Sequence, residues 1–457
     1  MSIFREYDIR GIYGTDLTDE IALRIGRAFG TEVSRMGGKT LALGYDMRLS
    51  GPALREAVLD GLLETGINVI DVGACPTPVL YFSQFHLDVD GGVMITASHN
   101  PTEFNGFKLC HGKTTLFGAQ IQKIQTMIQQ GDSPRGRARG TVVMHDHFLD
   151  AYLDFFVGHF GRFRRRRVVV DCGNGAAALI APRILGALGC EVIPLYCEPD
   201  GRFPNHHPDP TVPANLADLI AEVKMRKADL GVAFDGDGDR IGAIDEAGNI
   251  IWGDSLTLFF AEAILSAHPG ATIISEVKAS QVLYDEVARL GGEAIMWKAG
   301  HSLIKAKMKE TGALLAGEMS GHLFFADRYF GYDDAIYAAC RLIEILAGSD
   351  RSLSSYFAHL PKRHTTPEIR VDCPDALKFE KVEQARAYFS KKYKTIDIDG
   401  VRMLCDGGWG LIRASNTQPA LVLRFEADSA DQLSAMRREV ADFLGALEGC
   451  GPESSGN

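Results

Sequence analysis

No stretch of this 457-residue sequence is apolar for long enough to cross a bilayer. The longest, SLTLFFAEAILSA at 255 to 267, is short and carries Glu262, and the opening MSIFREYDIRG has no apolar signal core. Positive charge is not in excess either: 48 Lys and Arg against 59 Asp and Glu leave a formal net charge of -11, which argues against a general nucleic-acid or anionic-membrane surface. The one basic run, Arg162 to Arg167, leads directly into Val168-Val169-Val170 and reads as the solvated approach to a strand. The nine cysteines form no CxxC and no metal-ligand spacing, so reduced thiols in a cytoplasmic protein are expected. The GxSxG elbow of serine hydrolases is missing, which argues against an acyl-enzyme.

What is present is globular: 46% hydrophobic residues, 23% charged and 49 glycines. The length predicts about three or four domains. Short β-rich runs alternate with amphipathic segments, the signature of α/β architecture with largely parallel strands. The order repeats three times: TLALGYDMR, INVIDVG and GVMITASHN; then RVVVDCGNG, CEVIPLYCEPDG and LGVAFDGDGD; then ATIISEVK, GGEAIMWKAGH and ALLAGEMSGH. Each third strand ends in polar residues, so three related α/β domains are expected to share one site at their strand ends. After about residue 360 period-two alternation takes over, which suggests a smaller α+β domain. The expected boundaries are 1–145, 146–248, 249–360 and 361–457.

Chemistry concentrates in those tails. Asp235, Asp237 and Asp239 in FDGDGDR are carboxylates at alternate positions on a glycine-rich loop, able to converge on one hard cation. The spacing mimics an EF-hand as far as Glu246, but Arg240 stands where that loop needs glycine and a strand leads in, so calcium sensing is rejected. An aspartyl-phosphate phosphatase, with a strand-end Asp as nucleophile, remains open. Ser98 in TASHNP is a candidate phosphoryl acceptor; a cation at the aspartate loop would hold the phosphoryl oxygens while His99 and Lys108 offset further charge. Glu318, Ser320 and His322 in GEMSGH suit hydrogen bonding to sugar hydroxyls, and WKAGHS adds Lys298, His301 and Ser302. Arg413, Ser415, Asn416 and Thr417 in RASNTQP would cup a phosphate.

Taken together, YDIRG (7 to 11), TASHNP (96 to 101), DGDGDR (235 to 240), GEMSGH (317 to 322) and RASNTQP (413 to 419) resemble the α-D-phosphohexomutase family over essentially the whole chain. FREYDIRG and GEMSGH are most similar to its bacterial phosphomannomutase/phosphoglucomutase branch; Tyr7 and Met319 argue against the phosphoglucosamine mutase alternative. The resemblance implies three related α/β domains with mixed, largely parallel sheets and a C-terminal α+β domain of TATA-binding-protein-like topology around a central cleft. It also implies reversible interconversion of hexose 1-phosphate and hexose 6-phosphate, of mannose or glucose, through phosphorylated Ser98 and a hexose 1,6-bisphosphate that also serves as activator. Mg²⁺ would sit on Asp235, Asp237, Asp239 and the serine phosphate. Lys108 and His322, with Arg10, match the proton-transfer positions. Glu318 and Ser320 match the residues that grip the 3- and 4-hydroxyls, and Arg413, Ser415, Asn416 and Thr417 the anchor for the idle phosphate. Tyr7, His99, Arg240, Lys278, Lys298 and His301 fall in the matched or adjacent segments; Ala299 stands where relatives often have threonine. The expected partner is a phosphosugar, with no nucleic acid and no membrane, for a monomer or dimer.

Overall fold

The computed structural model describes residues 3–136, 138–416, 418–445 and 453–454. Four sheets follow one another along the chain. In the first, Asn68–Ala74, Thr40–Tyr45 and Gly91–Ile95 are parallel neighbours and Phe104–His111 closes antiparallel on Gly91–Ile95. The second places Glu191–Leu195, Arg167–Asp171 and Leu230–Phe234 in parallel and adds Ile241–Asp245 antiparallel. The third repeats the order with Glu293–Trp297, Thr272–Glu276 and Leu315–Gly317, then Leu323–Phe325 antiparallel.

The threefold repeat therefore extends one strand beyond the triplets visible in the sequence. Its consequence is that each polar tail is the turn of a hairpin, 96 to 103, 235 to 240 and 318 to 322, rather than the start of a crossover helix. A hairpin turn returns beside the strand that delivered it, so its side chains are fixed by two strands at once.

The fourth sheet is antiparallel throughout, with Lys394–Ile396, Val401–Cys405, Gly408–Ala414, Ala420–Ala427 and Ile369–Asp372 in that order. Its alternating residues bury Val401, Met403, Ile412, Leu421, Leu423 and Phe425 against Val382, Phe389, Val440 and Leu444 of two helices. This core is the domain's own. The first three domains instead share a continuous core running from Phe82 and Met94 through Val170 and Val232 to Phe259, Leu315 and Ile336.

The fourth domain is pinned to the third through Arg402, a fully buried guanidinium. It donates to the Val277 and Ala279 carbonyls at 2.7 and 3.0 Å and to Gln281 Oε1 at 3.1 Å, and lies 3.7 Å from the ring centre of Trp409. Trp409 Nε1 donates to Glu426 at 3.0 Å. Among the described residues no helix is long and apolar enough to cross a membrane.

A second pin joins the helix Phe148–Phe160 to the third domain: Tyr152 and Tyr329 donate to Asp334 Oδ2 at 2.6 and 2.7 Å, and Oδ1 caps the helix Ala335–Ala347 at Tyr337 N, 2.9 Å. Burial pushes this carboxyl up to about 6, with the tyrosine and backbone donors pulling the other way. A carboxyl whose folded value exceeds its unfolded one binds more protons when folded, so its stabilisation is full below about pH 4 and lost as pH rises through about 6. Relative to Asp334→Asn, the parent protein should lose stability across that window by up to about 1.4 kcal/mol per pH unit, as read from urea midpoints at a series of pH values; a difference that does not vary with pH would contradict the buried-acid reading.

Candidate active site

Four hairpins or loops meet at one place. Ser98 lies in the first with φ 50°, a left-handed conformation that a residue with a Cβ adopts only when its surroundings impose it. Arg48, itself buried, imposes it: Nη1 donates to the Pro101 and Phe104 carbonyls at 2.6 and 2.8 Å, and Nη2 to those of Ser98 and Asn100 at 2.8 and 2.6 Å. The loop's other edge rests on Thr96, whose Oγ1 accepts from Ser98 N at 2.8 Å and donates to Asp46 Oδ2 at 2.7 Å. Arg10 donates to Asn100 Oδ1 at 2.5 Å from outside.

Ser98 Oγ is thereby delivered to the second hairpin, 2.6 Å from Asp235 Oδ2, with His99 Nδ1 at 3.0 Å. The approach depends on Gly236: a Cβ there would lie 2.3 Å from the Ser98 carbonyl oxygen. Asp235 Oδ1 accepts from the backbone of Gly238, Asp239 and Arg240 at 3.0, 3.1 and 3.1 Å, which curls the loop. Asp235, Asp237 and Asp239 are all fully buried.

Such crowding needs a counter-charge. Lys108 supplies it, with Nζ 2.8 Å from Asp237 Oδ2 and 2.5 Å from Asp239 Oδ2; Thr77 Oγ1 donates to Asp237 at 2.6 Å. Burial alone would raise Asp237, but the Lys108 ammonium holds it well below the carboxylate range, while burial and its two neighbouring acids push Asp235 up. Burial would likewise strip Lys108 of its proton, and Asp237 and Asp239 reverse that. One oxygen of Asp237 and one of Asp239 remain without a hydrogen-bond partner, and the ligand atoms of the three acids lie within 4.8 Å of one another. Hard, buried, under-donated oxygens are the donor set a divalent cation takes, so the residues fit a metal ion.

The third hairpin contributes His322, whose Nε2 accepts from Arg240 Nε at 2.9 Å and whose Nδ1 is 3.0 Å from Asp333 Oδ2. Asp333 is paired on its other oxygen with Lys305 at 3.0 Å. Glu318 accepts from Gly300 N at 2.7 Å, and Ser320 is half-buried on the same turn. His301 opens the helix His301–Thr311, with its ring 5.5 Å from that of His322 and 6.1 Å from that of Tyr7; burial pushes both His301 and His99 below the usual imidazole range. Tyr7 joins three domains, donating to the Ala299 carbonyl at 2.8 Å and accepting from Asn416 Nδ2.

From the fourth domain, Arg413 is buried and donates through Nε to Asp399 at 3.0 Å, and Ser415 Oγ accepts from Gln418 N at 3.1 Å. Thr417 lies outside the described residues. Lys278 is held by Glu368 at 3.1 Å, and Lys298 is exposed, its charge acting on Glu6.

Residues 1–135, 150–248, 252–364 and 368–443 match, in turn, the family models for phosphoglucomutase/phosphomannomutase α/β/α domains I, II and III and for the C-terminal domain. The chain belongs to the phosphoglucomutase/phosphomannomutase family. It is 50% identical over 438 residues to a phosphomannomutase/phosphoglucomutase of Pseudomonas putida, covering 95% of this chain and 94% of that one. A probable phosphoglucosamine mutase of Methanopyrus kandleri is 36% identical over 440 residues, 95% and 96% of the two chains. A crystal structure of a phosphoglucomutase/phosphomannomutase family protein from Burkholderia thailandensis superposes with a TM-score of 0.91 at 43% identity, covering 97% of each chain.

Sequence reasoning overlooked Arg48, Thr77, Asp46 and Asp333. None lies in a motif with chemistry of its own, and each acts through a contact that only the fold makes: Arg48 and Asp46 on the Ser98 loop, Thr77 on Asp237 and Asp333 on His322. Within this family site Arg48 offers the clearest test: Arg48→Met leaves four carbonyls of the Ser98 loop without their donor, that of Ser98 buried and the others nearer to solvent, at about 1–3 kcal/mol for a buried group left bare. We expect turnover to fall at least tenfold, with faster amide exchange confined to 97 to 104; unchanged exchange there would show that the clamp does not hold the loop.

Proposed function

We propose that this chain interconverts hexose 1-phosphate and hexose 6-phosphate of glucose or mannose, with phosphorylated Ser98 as donor and a hexose 1,6-bisphosphate as both intermediate and activator. The observation that carries the reading is Ser98 Oγ at 2.6 Å from a buried three-carboxylate cluster, in a chain matched by all four family models. The domains are taken as 1–145, 146–248, 249–360 and 361–457.

In the proposed sequence the free sugar hydroxyl attacks the phosphoryl phosphorus on Ser98; its oxygen gains the phosphoryl group, Ser98 Oγ leaves, and the hydroxyl proton passes to a nearby base. The reverse transfer takes the second phosphate of the bisphosphate back to Ser98. Asp235, Asp237, Asp239 and the serine phosphate would hold Mg²⁺, which supplies charge neutralisation during transfer. His322 and Lys108 are the proton-handling groups of the proposal. Lys108, kept protonated by two aspartates, suits the donor role, whereas His322 Nε2 carries a lone pair. Arg10 holds the loop through Asn100 and adds fixed positive charge.

The phosphate that does not react is assigned to Arg413, Ser415, Asn416 and Thr417, and the 3- and 4-hydroxyls to Glu318 and Ser320. Tyr7, His99, Arg240, Lys278, Lys298 and His301 are assigned to the surrounding wall. A site that reads carbons 3 and 4 accepts both glucose and mannose, which differ at carbon 2. The aspartyl phosphatase alternative is less well supported, because Ser98 Oγ stands 2.6 Å from Asp235 Oδ2 and the models that match the chain are those of phosphoglucomutase/phosphomannomutase.

Ser98→Ala should cost at least about 10³-fold in turnover with an unchanged melting transition; near-normal turnover would remove Ser98 from the nucleophile's place. Arg413→Ala should raise KM by roughly 10–100-fold, the loss of a charge-assisted hydrogen bond, and equally for the 1- and 6-phosphates. An effect on one isomer only would contradict a shared anchor. Chelation should stop turnover and Mg²⁺ restore it, with almost no inorganic phosphate released; stoichiometric release would favour the phosphatase.

A further inference from the structure

We propose that Cys172 and Cys197 are a reversible disulfide site whose closure distorts the acidic loop. Cys172 follows the strand Arg167–Asp171, and Cys197 stands two residues past its parallel neighbour Glu191–Leu195, where Asp171 and Leu195 are register partners. The two Sγ atoms are 3.3 Å apart. The Val170 and Leu195 carbonyls, 3.2 and 3.3 Å from Cys197 Sγ, turn that side chain inward toward Cys172. Cys172 is fully buried and Cys197 half-buried, so Cys197 is the member of the pair nearer to solvent. The contact with Cys172 holds the outer thiol below the usual range, while burial pushes Cys172 well above it.

A sulfur–sulfur bond of about 2.05 Å requires the pair to close by roughly 1.2 Å. What lies behind Cys172 makes that movement consequential. Gly173 and Asn174 have φ of 49° and 59°, and Tyr196 on the facing strand end has 50°, so neither loop has slack in the usual conformations. Cys172 N donates to the Leu195 carbonyl at 3.1 Å and Asn174 N to that of Tyr196 at 2.9 Å, tying the two loops together. On the other side Ala176 N donates to the Gly236 carbonyl at 2.9 Å, and a Cβ on Gly175 would lie 2.8 Å from that oxygen. Gly236 separates Asp235 from Asp237 and is itself pressed on the Ser98 carbonyl. A shift of the Cys172 loop therefore has no free space to dissipate in before it reaches the acids.

The oxidant is a low-molecular-weight disulfide. The Cys197 thiolate attacks one of its sulfurs, forming a mixed disulfide as the small molecule's S–S bond breaks and one small thiolate leaves. Cys172, giving up its proton, then attacks Cys197 Sγ and expels the second small thiolate. Two protein thiols are oxidised by two electrons, and one small disulfide is reduced to two thiols, which take up the two protons. A small dithiol reverses the exchange.

The site does not rest on the mutase reading; only its effect on turnover does. The full chain, exposed to oxidised glutathione, alkylated and digested without reductant, should give a peptide joining Cys172 to Cys197. Amide exchange at 235 to 240 should rise and turnover fall several-fold, both restored by dithiothreitol. Cys197→Ser should keep the reduced protein's turnover and lose all three responses; Cys197→Ala provides the same test should serine perturb packing. Glutathione retained on Cys197 with no linked peptide would overturn the site. A linked peptide with unchanged exchange at 235 to 240 would overturn the coupling, and inhibition persisting in Cys197→Ser would assign the effect to another cysteine. If the reduced chain shows no mutase turnover while the linked peptide forms, the functional reading fails and the disulfide site stands.

Discussion

The arrangement depends on one electrostatic constraint: three carboxylates on a five-residue span, all fully buried, two of them bridged by one buried ammonium. Removing charges from water is costly, and like charges at this separation repel more strongly as the surroundings dry. Lys108 comes from the strand Phe104–His111, the return arm of the hairpin that carries Ser98. The same two strands that aim the serine therefore also deliver the counter-ion, and the first and second domains cannot separate without exposing an uncompensated pair. This is why Asp237 and Asp235, two residues apart, are driven in opposite directions: one touches Lys108 and the other does not.

Because the site is anchored by charge on one side, its precision on the other must come from geometry. Arg48 gathers four carbonyl oxygens of the Ser98 loop around one planar group, and its fork can satisfy them where a lysine could not. The left-handed backbone at Ser98 is the result, a local strain of the kind that persists only when its surroundings over-determine it. Gly236 then admits the loop to contact distance.

How much of this is legible in the sequence divides along a physical line. Loops whose residues carry their own chemistry, such as DGDGDR and RASNTQP, announce the site, and the alternation of strand and helix patterns announces three related domains. The antiparallel fourth strand of the repeats is not legible, because runs such as IGAID and LFF are short and apolar and periodicity alone cannot place them. Arg48 and Asp333 were invisible for a different reason. Arg48 sits in an ordinary polar turn and reaches residues 50 to 56 positions away, and Asp333 meets His322 only after Leu323–Phe325 and its following turn have folded back. Cys172 and Cys197 look like scattered thiols in the chain because the contact between them is made by strand register.

The division of the cores bears on how a reversible transfer could be organised. The first three domains, which carry the serine, the acids and the turn 318 to 322, are welded through one apolar cluster, so the distance from Ser98 to Asp235 is a property of packing that a bound ligand cannot easily change. The fourth keeps a separate core and meets the others mainly through directional polar contacts, among them Arg402 and Arg424 on backbone carbonyls, Lys278 with Glu368, Gln281 N on Glu426 and Tyr7 with Asn416, beside a small apolar seam of Val277, Trp409 and Leu411. Directional contacts break and reform at less cost than a shared hydrophobic core. A molecule that must turn end for end needs a reacting centre that stays put and an anchor that can let go, and the apportioning of apolar burial between the domains supplies that asymmetry.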